Sequence, residues 1–386
     1  METIISFGLY IATFIVGFFV DKKEPKNKLR KIYVIWLYIF LCFGYMTGSD
    51  WRGYEISFDE IDNFYSDKFL TEPGFIGLFY LSKILFKDFF LALGVLKCLY
   101  LFTLIKFLKE YTKHYILALT ILLPLSSLFI LIDNPLRFMT ALTIVNLALI
   151  YFIKKKFIIC YGLLIVAILF HSTTIFFILL PITIKYGDRL YSISSLAIII
   201  IYIVIAFLSS NVELITNVLR SSIGFLLQYI EMKDYTQTYL ANDNEAFFTL
   251  GSIMRIFIFV IIIFSKKFVN LNSEEERTFY GIAITYLMLE RLLIIIPTGF
   301  RLAIPFGYYY ALYLTLLVVK HSRLGYLVVT YLFLMMCKNI YMGYGYIPYS
   351  NSIPHILTQD YDSYAYRSNY NFEEYYKRFG HHVEQK

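Results

Sequence analysis

Lysine and arginine recur in short clusters at every second gap between apolar runs, and this alternation limits the chain to a narrow set of folds. The apolar runs lie near 2–20, 32–47, 88–107, 115–132, 138–153, 157–170, 172–184, 191–208, 247–265, 279–296, 302–319 and 324–341. A helix needs about 20 mostly apolar residues to cross a bilayer, so the runs predict about twelve crossings, several of them short. The clusters are Lys22/Lys23/Lys26/Lys28/Arg30/Lys31, Lys106/Lys109/Lys113, Lys154/Lys155/Lys156, Lys185/Arg189, Lys266/Lys267/Arg277 and Lys320/Arg323. Basic residues stay on the cytoplasmic side, so their return in alternate connections orients every span. Charged residues make up only 16% of the 386, and 59% are hydrophobic, where an average soluble chain has about a quarter charged. The expected fold is an all-α polytopic integral membrane protein, one membrane domain over residues 1–386. The formal charge of +7 then reports topology and gives no reason to expect nucleic acid.

The first run lacks a basic leader and its positive cluster follows it, which predicts a retained span with its N-terminus outside. Residues 74–86 are apolar, yet a crossing there would put Lys106–Lys113 on the wrong side. They are expected to form a helix along the outer interface, with Lys83 and Lys87 facing the headgroups. The outer face then carries segment 48–87, the turns Asp133–Arg137 and His171, loop 209–245, Pro297–Arg301 and the Tyr-rich tail 342–386. Each half of the apolar pair around His171 is barely long enough to span, which predicts two short tilted helices or a re-entrant hairpin buried in protein. The four cysteines sit in apolar runs without paired spacing and read as small packing residues.

Ionisable groups at membrane depth are expensive and usually functional, and on this threading Asp50, Arg137, His171 and Arg301 all fall at the outer edge. Gly48-Ser49-Asp50-Trp51-Arg52-Gly53-Tyr54 opens the first outer segment, where glycines allow a tight turn. Asp50 there serves as a general base, as a ligand for sugar hydroxyls, or as a helix cap. Glu72, before Pro73-Gly74-Phe75, reads as the cap of the interfacial helix. In Asp133-Asn134-Pro135-Leu136-Arg137, Pro135 suits a first helical turn with Asn134 or Asp133 capping it. Arg137 follows one turn in, either snorkelling or gripping phosphate with its planar fork.

His171 interrupts a long apolar run, as a buried neutral ring or as a base or donor to substrate. Arg301 follows the break Pro297-Thr298-Gly299-Phe300 and is a second candidate phosphate ligand. Arg255, Glu290 and Arg291 lie deeper in spans, where pairing is expected because a lone charge costs most. The tail tyrosines, Tyr349 among them, serve as interface anchors or as flat half-polar surfaces for sugars. No Walker loop, dinucleotide fingerprint or zinc spacing is present. An activated donor is therefore expected to be lipid-borne, with no cofactor or metal indicated.

Gly48-Ser49-Asp50 with Tyr54, Glu72-Pro73-Gly74-Phe75, Arg137 after a short polar turn, Phe170-His171-Ser172, Arg301 followed by Tyr308, and Ile347-Pro348-Tyr349 occur in this order. The pattern, from Gly48 to Tyr349, resembles the EpsG family of polysaccharide biosynthesis proteins, relatives of Wzy-type O-antigen and capsule polymerases. Phe138 departs from it, standing where the family usually has Gln. The resemblance implies a glycosyltransferase that joins undecaprenyl-diphosphate-linked oligosaccharide repeat units into O-antigen, capsule or exopolysaccharide at the outer face of the bacterial cytoplasmic membrane. Its implied surroundings are the lipid bilayer, a chain-length regulator and other polysaccharide-assembly membrane proteins. Arg137, Arg301, His171 and Asp50 become the candidate catalytic residues, with Tyr54, Glu72, Tyr308 and Tyr349 as candidate substrate ligands. A lipid-linked oligosaccharide flippase would also need membrane-embedded cations, but spread across the midplane. A ligase-like glycosyltransferase would share the site and differ in its acceptor.

Overall fold

The computed structural model describes residues 2–21, 27–61, 72–209, 250–293 and 299–380, and these are almost entirely helical. In chain order the helices are α1 (Glu2–Val20), α2 (Asn27–Leu37), α3 (Trp51–Glu60), α4 (Pro73–Phe86), α5 (Phe89–Tyr111), α6 (Tyr115–Leu122), α7 (Leu136–Ile153), α8 (Phe157–Ile168), α9 (Leu180–Lys185), α10 (Arg189–Ser192), α11 (Ser195–Ser209), α12 (Leu250–Ser265), α13 (Glu274–Leu293), α14 (Phe300–Lys320), α15 (Ser322–Met342), α16 (Ile353–Thr358) and α17 (Tyr364–Phe379). Strands Gly44–Tyr45 and Ser350–Asn351 pair antiparallel. The expected loop 209–245, apart from Ser209 at the end of α11, lies outside the described residues, as do Pro297-Thr298 and the last residues of the tail.

Five described helices are long and apolar enough to cross a membrane: Glu2–Val20, Phe89–Tyr111, Leu136–Ile153, Phe300–Lys320 and Arg323–Met342. Six shorter apolar helices accompany them. Several expected crossings are broken by changes of helical pitch. The run after α2 becomes π-helical at Tyr38–Cys42, and the run after α6 does so at Leu123–Ser127 and Phe129–Asp133. The stretch after His171 is a 3₁₀ helix over Ser172–Leu179 that continues into the six residues of α9. A 3₁₀ helix rises about 2.0 Å per residue against 1.5 Å in an α-helix, so this element reaches roughly 25 Å. Ile158, Leu196 and Phe207 are 91%, 68% and 65% exposed, an outward apolar surface suited to acyl chains.

The chain divides into two compact units, Met1–Pro181 with Val329–Lys386, and Ile182–Val328. In the first, α5 and α7 form the centre, and α5 gives the unit two distinct ends. At its start, Phe90 packs on Tyr45, Trp51 and Tyr361, and Asp88 accepts from the Leu91 N–H at 2.7 Å and from the Tyr361 hydroxyl. Near its finish, Glu110 pairs with Lys154 at 3.1 Å. At this basic end, fully buried Asp21 accepts from Arg30 Nε at 2.6 Å and from the N–H groups of Ile116 and Leu117 at 3.0 and 3.1 Å. Arg30 also donates to the Lys113 carbonyl.

The second unit has the same polarity of ends. Lys266 donates to the Tyr191 and Ile193 carbonyls at 3.1 and 2.9 Å, and Lys320 reaches Glu276 at 2.5 Å. Ser273 and Glu276 form a reciprocal cap at the start of α13: the Glu276 N–H donates to Ser273 Oγ, and Glu276 accepts from the Ser273 N–H. Three basic connections thus gather at one end, as the alternation of charge requires. Arg301 starts α14 at the opposite end from Lys320. Deeper in this unit, Glu290 of α13 interacts electrostatically with Arg255 of α12, the pairing expected of intramembrane charges.

Candidate functional site

At the end of the first unit opposite Asp21 and Arg30, a set of turns is fastened together by backbone. The Gly48 N–H donates to the Gly345 carbonyl at 2.7 Å, and the Asp50 N–H to the Asp133 carbonyl at 3.3 Å. Gly48 has φ +80°, and a Cβ there would lie 2.0 Å from the Ile132 carbonyl oxygen, so only glycine fits. The Gly74 N–H donates to the Leu169 carbonyl at 2.9 Å, and a Cβ on Gly74 would meet the Phe170 ring at 2.9 Å. This close approach sets the first turn of α4, and with it Glu72, against the turn that carries His171.

None of the residues expected to cap these helices does so through its side chain. Asn134 turns left-handed at φ 63° and donates to the Thr47 carbonyl at 2.8 Å, leaving Pro135 at the helix entry. Asp133 accepts from the Tyr346 hydroxyl at 3.0 Å. Asp50 stands at the entry to α3 and accepts from Ser49 Oγ at 2.9 Å. Glu72 stands at the entry to α4 without a capping bond, and its carboxylate has other partners.

Those partners are the substance of the site. Glu72 Oε1 accepts from His171 Nδ1 at 2.8 Å and from the Ser172 N–H at 3.1 Å, and Oε2 accepts from Arg137 Nη1 at 3.2 Å. Arg137 Nε donates to the Tyr54 hydroxyl at 3.3 Å. The Glu72 side chain is 6% exposed, His171 13% and Arg137 42%, so the carboxylate is sealed while the guanidinium opens outward. Burial pushes the Glu72 carboxyl up, but the hydrogen bond and charge of His171, joined by Arg137 and the Ser172 N–H, outweigh it and hold the group below its usual value. Burial raises the Tyr54 phenol despite Arg137 beside it, so it stays protonated at neutral pH.

Phe138 packs edge-on against His171 with ring centroids 5.5 Å apart, an apolar wall for the imidazole. Arg137 Nη2 and His171 Nε2 make no hydrogen bond to a described residue. One forked donor and one ring nitrogen are therefore left at the edge of a buried carboxylate. That pair can bind an oxyanion and accept a proton.

The other expected residues have different settings. Asp50 lies one helical turn before Tyr54, whose N–H donates to the Asp50 carbonyl at 3.4 Å. Arg301 is half-buried and Tyr308 fully buried, both on α14 in the second unit. The Tyr349 hydroxyl donates to the Phe40 carbonyl at 2.7 Å, and its N–H to Ser6 Oγ at 2.8 Å. The tail tyrosines follow suit, with the hydroxyls of Tyr346, Tyr361, Tyr364 and Tyr370 all donating to protein partners. They fasten the tail to this end of the unit, a use beyond the two expected of them. Arg367 of α17 donates from Nη1 to both Glu55 carboxylate oxygens at 2.7 and 2.8 Å, and Arg52 donates to the Ser368 carbonyl. Among the described residues no cluster of three His, Cys, Asp or Glu side chains could hold a metal ion.

The central place of Glu72 is what the sequence reading missed. A carboxylate before Pro-Gly reads as a cap, and no spacing rule ties it to a histidine 99 residues on. The family model of the EpsG family matches residues 27–351, well over half of the chain. Neither the curated proteins nor the solved structures hold a match to it.

Proposed function

The chain belongs to the EpsG family, whose members are Wzy-like polymerases of polysaccharide biosynthesis, and from that premise we propose that it joins lipid-diphosphate-linked oligosaccharide repeat units end to end. The observation that supports this most is an open guanidinium and an open imidazole nitrogen held by one buried carboxylate. In glycosyl transfer the acceptor hydroxyl attacks the anomeric carbon as the bond to the diphosphate oxygen breaks. The hydroxyl proton passes to His171 Nε2, the bonding electrons depart on the diphosphate, and Arg137 meets the charge that grows there. A donor aimed at developing charge lowers the barrier more than one that binds donor and transition state alike.

Asp50 and Tyr54 are assigned to sugar hydroxyls beside this centre. Arg301 keeps its sequence-based assignment as a further phosphate-binding guanidinium, and Tyr308 and Tyr349 as residues that shape substrate contacts. The donor is assigned to undecaprenyl diphosphate and the reaction to the outer face of the cytoplasmic membrane. Two features support that side: the site lies opposite the basic end of its unit, and Arg301 lies opposite the basic end of the other.

Arg137→Ala or Arg301→Ala, produced at wild-type membrane levels, should leave single repeat units on the lipid carrier and lower polymerisation by about 10²-fold or more. Gel profiles of extracted glycan give the check. Full-length polymer from either variant would reject that residue's role. Arg137→Lys should recover little, because an ammonium lacks the fork that meets two oxygens at once.

A further inference from the structure

Glu72 touches no expected position of the reacting atoms, yet it touches both groups that do. An ionised carboxylate only accepts hydrogen bonds, and this one is held ionised at neutral pH. Its contact with His171 Nδ1 at 2.8 Å therefore places a ring proton on Nδ1, so that in the neutral ring Nε2 is the acceptor. The Ser172 N–H on the same oxygen at 3.1 Å fixes the carboxylate against the backbone of the histidine's own turn. Its second oxygen holds Arg137 at 3.2 Å, so base and phosphate ligand share one anchor. The Phe138 ring excludes water from one side of the imidazole.

We propose that Glu72 is the positioning residue of this site, holding His171 as the Nδ1–H tautomer with Nε2 facing the acceptor hydroxyl while it turns Arg137 toward the departing diphosphate. This rests on the polymerase reading above. As the hydroxyl proton reaches Nε2 the ring becomes cationic, and the adjacent carboxylate compensates that charge without taking the proton itself. The arrangement also orders the events. The Arg137–Glu72 contact is a single hydrogen bond on a half-exposed guanidinium, so Nη2 can engage the diphosphate without first breaking it.

The test combines a spectroscopic measurement with an activity measurement. In full-length protein in lipid nanodiscs with ¹⁵N-labelled histidine, the His171 resonances, identified by their loss in His171→Gln, should show a protonated Nδ1 and a bare Nε2. A wild-type ring carrying its proton on Nε2 would overturn the proposal with no variant needed. Glu72→Gln offers one carbonyl oxygen to three donors, so the ring should become a mixture of tautomers. Glu72→Asp, shorter by one methylene, should keep one of the two contacts and recover only part of the order. In membrane vesicles from producing cells, which hold their own lipid-linked repeat units, Glu72→Gln should lower the polymerisation rate by roughly 10²-fold or more, with Glu72→Asp between it and wild type. An unchanged tautomer in Glu72→Gln, or wild-type polymerisation by it, would overturn the proposal. Failure of the polymerase reading looks different: vesicles lacking the chain would still extend repeat units, whatever the His171 spectrum shows.

Discussion

Asp21 and Glu72 are both buried carboxylates at helix ends, at opposite ends of the same unit; each holds an arginine, Asp21 with two backbone N–H groups and Glu72 with one. Their difference lies in what remains unpaired. Around Asp21 everything is closed: Arg30 is 6% exposed, and it also donates to the Lys113 carbonyl. Around Glu72 the carboxylate is also buried, but its arginine is half exposed and its histidine keeps one ring nitrogen without a partner among the described residues. On the proposed reading the same chemistry serves as a brace at one end and as a tool at the other. Closure stabilises; incompleteness is what allows a substrate to take part.

The sharpest way to break this comparison is to remove one charged group from each end. Arg137→Ala should lower polymerisation about 10²-fold or more, as set out above, while changing stability by only about 0.2–1 kcal/mol, because the guanidinium is half exposed and Glu72 keeps its bonds from His171 and Ser172. Asp21→Ala should do the reverse. It strands a buried guanidinium and should cost about 3–5 kcal/mol, seen as lost membrane accumulation and a lowered melting temperature in detergent. The molecules that do fold should polymerise at the wild-type rate each. If Asp21→Ala cut the rate per folded molecule as deeply as Arg137→Ala, the division into brace and tool would be wrong.

Smaller perturbations sharpen it. Gly48→Ala forces a side chain into a left-handed position against the Ile132 carbonyl and should cost at least about 1 kcal/mol. The cost should appear as weaker protection of the Gly48–Tyr54 amides from hydrogen exchange, with the Asp21 end unaffected. The smallest effect is on pH dependence. Because the Glu72 pKa is lower folded than unfolded, its contribution to stability is complete above the ordinary carboxylate range of about 4.3 and fades as pH falls through the folded value. Thermal melts of wild type and Glu72→Gln should therefore differ at pH 7 and converge in acid. A gap that widened on acidification would reverse the sign.

The end at which each unit gathers its basic connections was legible because lysine and arginine clusters are strong local signals. Span counting was less reliable, because π and 3₁₀ stretches change the rise per residue at Tyr38–Cys42, Leu123–Asp133 and Ser172–Leu179. Arg137 and His171 stood out as ionisable groups in apolar surroundings. Glu72 read as a cap because its partners come from α7 and the turn after α8, contacts that exist only once the chain is folded. Asp21 was hidden for the same reason. Beside a run of lysines it looks like a loop residue, and nothing local announces its burial. Phe138 was seen as a departure from the family pattern, and the structure gives it a place as the wall of the imidazole.

The widened turns between Leu123 and Asp133 have one more implication. Each π turn closes its hydrogen bond five residues back and so holds one residue more than an α turn. Everything beyond it is rotated by about 100° relative to a regular helix. The angle at which the chain reaches Asp133 and the left-handed break at Asn134 thus depends on the residues spent in these turns. Losing one such residue would turn Asp133, which holds the Tyr346 hydroxyl, by about 100° and loosen the tail from this turn. In this stretch chain length sets which way the turn faces, and a deletion among apolar residues would be felt where the tail is fastened.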